Sequence, residues 1–293
     1  MVQEFNFRRA ETVDEVLERL ASSRGKIELV AGGTDVMISL RNEELGRDIE
    51  EVLDISGIDE LNFIYHKEDN GKEMLHIGAA TPLRQIAADP LVKEKTLVLH
   101  KAADSVGSLQ VRTRGTIGGN VVTAAQCADT VPALLVLEAV LVLKSKTGSR
   151  EIAIEDFFTG PKQTDIREDE LLTEIRIPVP PEGSRGVFDK LIRREAVAKS
   201  RLSVCVITKQ GADKKVQDIR VCVGSCLGTH SRFPTVEKMV LGKIPNRELI
   251  EQAGAAAGDY IVEVGGYRWS TDYKKPVAAS LTARALSGTL EVT

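Results

Sequence analysis

The chain has 293 residues, enough for more than one compact unit, because single cores stop growing near ~250–300 residues. Hydrophobic residues make up 42% and charged residues 28%, which is a globular balance and excludes a disordered chain. A net charge of −4, from 39 Lys plus Arg against 43 Asp plus Glu, offers no basic field and argues against a nucleic-acid partner. The four histidines are scattered, and only Cys222 and Cys226 among the four cysteines are close; their spacing is not that of a metal or redox knuckle. Cys205, Cys222 and Cys226 lie in apolar runs and read as small buried hydrophobes, whereas Cys127 stands apart. The N-terminus lacks an apolar signal core and no apolar run approaches the ~20 residues of a membrane span. The expectation is a cytoplasmic chain with no membrane span.

The first helix is predicted at Thr12, where Glu15 completes a capping box and Val13, Val16, Leu17, Leu20 and Ala21 share one face. A short strand, 27–30, precedes a break at 31–35, an apolar stretch, 36–40, and a second strand, 51–55. A hairpin is expected over 61–78 with its turn at 69–71. Pro82 opens a helix to Ala88, and a further helix covers 91–106 with a weak point near Thr96. Residues 113–120 are rich in glycine and poor in helix formers. Asp129, Thr130 and Pro132 then cap an apolar helix, a hairpin follows around 146–149, and 169–178 reads as a strand. The Pro/Gly-dense stretch 178–186 is the best boundary in the chain. Beyond it come strands at 187–193, 202–209 and 215–224 and helices at 235–241, 247–257 and 272–286. Strands followed by helices, without strict alternation, indicate an α+β fold. The expected division is 1–57, 58–177 and 178–293.

Two segments place paired glycines directly beside strand-like residues: Val30-Ala31-Gly32-Gly33-Thr34-Asp35-Val36 and Thr116-Ile117-Gly118-Gly119-Asn120-Val121-Val122. Adjacent glycines let successive N–H groups point the same way and approach phosphate oxygens without Cβ obstruction. Thr34, Thr116 and Asn120 add side-chain donors at the rim. Neither segment has the Rossmann or Walker spacing, so neither a nicotinamide site of that kind nor a P-loop is supported. A tight turn would account for one such loop alone; two loops, each flanked by Thr, favour a diphosphate held by neutral donors. Arg112 and Arg114 are the nearest cations and read equally as a solvated edge.

With these loops, the stretches Asp169-Glu-Leu-Leu-Thr-Glu-Ile175 and Phe188-Asp-Lys-Leu-Ile-Arg-Arg-Glu195 give the chain an end-to-end resemblance to the FAD-binding subunits of molybdenum hydroxylases. That family includes xanthine dehydrogenases, aerobic carbon monoxide dehydrogenase and nicotinate dehydrogenase. The resemblance implies a vanillyl-alcohol-oxidase/PCMH-type FAD-binding domain of two α/β subdomains. A C-terminal domain like that of the carbon monoxide dehydrogenase flavoprotein, an antiparallel sheet with helices, would follow it. It further implies that Leu29, Val30, Ala31, Gly32, Gly33, Thr34, Asp35 and Val36, with Thr116, Ile117, Gly118, Gly119, Asn120 and Thr123, wrap the FAD diphosphate and part of the flavin. Asp129 matches an acidic position that contacts the cofactor, Leu171 and Leu172 match apolar positions near the adenine, and Lys190, in competition with Asp189, lies in the segment approaching the isoalloxazine. Phe188 stands where some relatives carry Tyr. The run Val111-Arg-Thr-Arg-Gly115 differs from the usual entry to the second loop, and no Cys-bearing insertion for an extra iron–sulfur cluster is present.

The implied function is electron transfer in a cytoplasmic hetero-oligomer, with no acid, base or nucleophile required of this chain. Electrons would come from two-iron, two-sulfur (2Fe-2S) clusters on an iron–sulfur subunit and pass through FAD to NAD+ or another acceptor. Substrate hydroxylation would occur on a molybdopterin subunit. A stand-alone FAD-dependent reductase of the UDP-N-acetylenolpyruvoylglucosamine reductase type is an alternative, but the last third lacks an evident Ser or Glu proton-donor motif. A scaffold subunit that keeps the fold without FAD is another, and the two intact loops speak against it.

Overall fold

Strand β1 (Asn6–Arg9), helix α1 (Val13–Ser23), β2 (Ile27–Val30), α2 (Val36–Arg41) and β3 (Glu51–Asp54) build the first layer pair. The computed structural model describes residues 5–42, 49–69, 71–192 and 199–292. β1 and β2 both run parallel to the central β3, with Arg8 and Leu29 on either side of Leu53. Thr12 caps α1 by accepting a hydrogen bond from the Glu15 N–H, and Glu15 accepts one from the Glu11 N–H. The buried stripe Val13, Val16, Leu17 and Leu20 packs on Leu53, Ile55, Ile58 and Leu61. β1 is not legible in sequence because its four residues are all exposed and show no alternation; pairing to β3 alone makes it a strand.

A five-stranded antiparallel sheet forms the second layer. It contains β4 (Ile64–Asp69), β5 (Lys72–Gly78), β6 (Val140–Ser145), β7 (Gly148–Ala153) and a later strand, β10 (Leu171–Pro178), in the order β4-β5-β10-β6-β7. The expected hairpin turn includes Asn70, which lies outside the described residues. Between β5 and β6 run α3 (Leu83–Ala88), α4 (Pro90–Lys95), α5 (Leu97–Ser105), α6 (Leu109–Arg114), α7 (Ile117–Val122) and α8 (Thr130–Val136). Helix α9 (Ile154–Phe157) and the small pair β8 (Phe158–Gly160) and β9 (Gln163–Thr164) precede β10. The helix expected over 91–106 divides at Thr96, whose backbone leaves the helical region while its hydroxyl donates to the Val92 carbonyl. Helix α6 has no apolar stripe and was not expected; Ser108 caps it by accepting from the Val111 N–H.

The remainder folds as the antiparallel sheet β11 (Arg185–Leu191), β12 (Leu202–Gln210) and β13 (Val216–Gly224), covered by α10 (Pro234–Val240), α11 (Arg247–Gly265) and α12 (Thr271–Thr289). Both long helices run past their expected ends. The expected strand end at Arg193, and Arg193 to Glu195 of the matching stretch, lie outside the described residues. β12 reads as a nearly continuous apolar run because both its faces are covered. Leu202, Val204 and Val206 face the helices of this sheet, whereas Cys205 and Ile207 join the core of the preceding layer. Phe188 of β11 and Cys222 of β13 do the same, so two sheets share one apolar interior.

Ile175 of β10 lies fully buried in that shared interior. Ile175→Ala is expected to cost about 2–5 kcal/mol through lost burial and the cavity left behind. A fall in urea midpoint with an unchanged m-value is the expected observation.

Candidate functional site

The first glycine loop leaves β2 and enters α2, and the second spans the start of α7; the fold sets one directly on the other. A Cβ on Gly32 would collide with the backbone carbonyl of Arg114 and come within 2.7 Å of the Gly115 Cα. Gly32 is therefore a contact between two backbones. Gly33 has φ of +71°, the left-handed region where a side chain is strained. Among the described residues nothing accepts a hydrogen bond from the N–H groups of Gly32, Gly33, Thr34 or Asp35. This is a run of partly exposed donors that the described residues leave unused.

The second loop behaves differently. Residues 117–122 form a helix despite their poor helix propensity, because tertiary partners take its first N–H groups. Ile117 N–H donates to Thr81 O at 3.1 Å, Gly118 N–H to Ala79 O at 2.9 Å, and Gly119 N–H to Thr116 Oγ1 at 3.1 Å. Gly118 is a second pinch point, since a Cβ there would meet Ala79 O at 2.6 Å. Ile117, Gly118 and Val121 face inward, whereas Gly119 is exposed and Asn120 and Thr123 are half-buried beside it. The first loop's rim meets the entry to this helix, where a Cβ on Gly115 would lie 3.5 Å from Thr34 Oγ1. Asn120 Oδ1 accepts from Thr130 Oγ1 at 2.6 Å, tying α7 to α8.

Asp129 and Lys190, expected separately beside a cofactor, meet each other. Lys190 Nζ donates to Asp129 Oδ2 at 2.9 Å and to Ser105 O at 2.6 Å. The second Asp129 oxygen accepts from the Ser200 hydroxyl. Asp129 stands at the cap position of α8, yet its side chain makes no capping bond; the carboxylate is committed to β11 and to Ser200. Burial raises its pKa, opposed by the Lys190 charge and by hydrogen bonds from Ser200 and Lys190. Asp189, on the other face of β11, pairs instead with Arg284 of α12.

Leu171 is buried in the first core, against which Leu29 and Ala31 pack, and Leu172 is buried in the shared interior. Leu171 therefore backs the first loop, whereas Leu172 faces the opposite side of β10. Val30 is buried, while Asp35 is exposed and Val36 half-buried at the entry to α2. Arg112 is taken up by Val106 O and Asp104. The exposed Arg114 side chain has no partner among the described residues, and it leaves the backbone at the point where Gly32 touches it. Ser105, Ser200 and the 79–82 connection are further members of the arrangement that spacing alone does not mark. The one local signal is Gly115, whose carbonyl accepts from Leu83 N–H at 2.9 Å. The remaining thiols are structural: Cys205, Cys222 and Cys226 are buried, and burial pushes the Cys226 thiol up to about 12. No cluster of His, Cys, Asp or Glu suited to a metal ion occurs among the described residues.

Residues 3–180 match the family described as the FAD binding domain in molybdopterin dehydrogenase, and residues 188–289 match the CO dehydrogenase flavoprotein C-terminal domain. The chain is 33% identical to the glyceraldehyde dehydrogenase medium chain of Sulfolobus acidocaldarius over 282 residues, covering 96% of this chain and 97% of that one. It is 33% identical to the nicotinate dehydrogenase FAD-subunit of Eubacterium barkeri, covering 84% and 82%. A solved carbon monoxide dehydrogenase from Hydrogenophaga pseudoflava, one lacking the Mo-pyranopterin moiety of its molybdenum cofactor, superposes with a TM-score of 0.90 at 26% identity. That superposition covers 99% of this chain and 98% of the other.

Two substitutions separate loop contact from ligand approach. Gly32→Ala is expected to force the loops apart, costing about 1–3 kcal/mol and losing FAD together with melting temperature. Gly119→Val adds bulk on the exposed edge of α7, where its Cβ would press only the Thr116 hydroxyl at 3.0 Å, and is expected to cost at most about 1–2 kcal/mol through that cap while losing FAD. Flavin absorbance after desalting, with thermal melts of the apoproteins, distinguishes the two.

Lys190→Met strands the Asp129 carboxylate in the interior and is expected to cost about 3–5 kcal/mol. Because the folded-state pKa of Asp129 is raised, its protonated form is favoured on folding. The loss is therefore full at neutral and alkaline pH and shrinks as pH falls through the raised value. Urea denaturation across that range checks the sign, and adding Asp129→Asn to Lys190→Met is expected to recover part of the stability.

Proposed function

The chain belongs to the family of FAD-binding subunits of molybdopterin dehydrogenases and is an FAD-dependent oxidoreductase subunit; on that premise we propose that it is the electron-transfer subunit of a molybdenum hydroxylase complex. When bound, FAD would supply the redox chemistry between two-iron, two-sulfur clusters on an iron–sulfur subunit and NAD+ or another acceptor. Substrate hydroxylation is assigned to a molybdopterin subunit. The observation that carries this reading is the run of N–H groups at Gly32 to Asp35, unused among the described residues, set against the Arg114–Gly115 backbone at the entry to α7.

The residues fit the cofactor. The N–H groups of Gly32, Gly33 and Thr34 would hold diphosphate oxygens, and Arg114 would place a cation at their edge. Thr123, the free amide of Asn120 and the bare surface of Gly119 would accept the adjoining part of FAD. Leu171 would back the first loop from within its core and keep it from retreating, and Leu172 would anchor the same strand in the shared interior. The ion pair between Asp129 and Lys190 would fix β11 against α8, so that the segment approaching the flavin is positioned without leaving an unpaired charge. No step requires an acid, base or nucleophile from this chain. No helix among the described residues is long and apolar enough to cross a membrane. The four cysteines are free, which suits a reducing cytoplasm.

The purified chain is expected to carry flavin absorption bands and about one FAD per chain. In the assembled complex, stripping and restoring FAD is expected to abolish and restore acceptor reduction. A colourless chain that takes up no FAD would overturn the assignment, as would a flavin-replete complex that reduces no acceptor.

A further inference from the structure

Thr130, the first residue of α8, is fully buried, and its hydroxyl carries a hydrogen that needs an acceptor. Among the described residues that acceptor is Asn120 Oδ1, 2.6 Å away on α7. This one bond decides which way the Asn120 amide faces. A carboxamide presents an oxygen on one side and two N–H donors on the other, and both arrangements fill the same space. With the amide turned over, an N–H would meet the hydroxyl, and the Thr130 hydrogen would be left in the interior without an acceptor. An unmade bond of a buried group is the costlier state, so the amide oxygen stays inward.

The other end of the amide is then free to act. Asn120 is half-buried beside the exposed Gly119. Its backbone N–H is taken by Thr116 O at 3.0 Å, whereas its Nδ2 has no partner among the described residues and is not enclosed. Thr130 cannot follow the side chain if it turns. Every residue of α8 is buried, a Cβ on Gly224 would come within 2.8 Å of Pro132 Cγ, and the preceding Asp129 is tied to Lys190 and Ser200. The amide is thus held as a donor by a fixed frame before any ligand arrives, which lowers the ordering cost of binding. A donor fixed in this way suits a ligand rich in acceptor oxygens, as FAD is along its diphosphate and sugar hydroxyls, and disfavours one that offers only donors.

We propose that Thr130 is a positioning residue for the cofactor: by holding Asn120 Oδ1 inward, its hydroxyl aims the two amide N–H bonds at an acceptor oxygen of FAD. This rests on the reading of the site as an FAD site. The test titrates the full chain, stripped of flavin, with FAD. Thr130→Val keeps the branched shape and removes the hydroxyl; it is expected to weaken FAD binding roughly 10-fold, and Thr130→Ser to restore the affinity. In an Asn120→Ala background, Thr130→Val is expected to weaken binding no further, because the group it aims is gone. With ¹⁵N-labelled asparagine, the side-chain amide resonance that is missing from Asn120→Ala is expected to shift in the wild-type chain when FAD is added. Wild-type affinity in folded Thr130→Val would overturn the inference. So would an equal loss in the Asn120→Ala background, which would assign Thr130 to the fold alone, and so would an Asn120 amide resonance that FAD does not move. Should Thr130→Val fail to fold, Thr130→Ala takes its place in the same cycle. A folded wild-type chain that takes up no FAD would instead overturn the functional assignment and the inference with it.

Discussion

The contact between the Gly32 backbone and the Arg114–Gly115 backbone sets the spacing of everything around the site. Two polypeptide backbones approach this closely only where no Cβ stands between them. The approach brings a loop from a three-stranded parallel sheet onto a helix that precedes a different, antiparallel sheet. Once they touch, the first loop cannot fold its N–H groups back onto its own strand, and they remain available. Gly118 repeats the device one layer deeper, where α7 presses on Ala79 and surrenders its first donors to the 79–81 carbonyls. One glycine pair thus offers donors, and the other offers a seat.

The C-terminal sheet is bound to this arrangement by apolar burial and by one ion pair. Phe188, Cys205, Ile207 and Cys222 continue the interior beneath α5 and α8. Asp129 and Lys190 then join the two parts at a defined register, with every charged contact inside hydrogen-bonded. Such a pair adds little net stability over an apolar substitute. Its value is specificity of position: a slip of β11 by one residue would turn Lys190 away and offer Asp189, which is already held by Arg284.

Helix α1 is legible in the sequence because cap, first-turn acids and apolar stripe agree over eleven residues. The β12–β13 hairpin is legible for the same reason, and the family stretches in 169–175 and 188–195 make the cofactor class legible where propensity could not. Helix α7 is not, since Ile-Gly-Gly-Asn argues locally against helix and, beside the Thr116 cap, partners some 36–39 residues earlier impose it. Asp129 misleads in a related way. Its place before an apolar helix reads as a cap, but a lysine 61 positions later claims the carboxylate. Nor can four equivalent-looking glycines be ranked from sequence, because what separates Gly32 and Gly118 from Gly119 is the identity of a distant neighbour.

Neutral donors are a physical choice suited to a site whose ligand changes its electron count. Backbone N–H groups clamped by a backbone contact cannot titrate and have little freedom to reorient, so the field they present is nearly constant through reduction and reoxidation. The buried titratable groups nearby form a pair with no net charge, and Lys190 is further restrained by Ser105 O. Arg114, without a partner among the described residues, stands in solvent where its field is screened. An FAD subunit built this way keeps the energetic cost of rearrangement around the cofactor low.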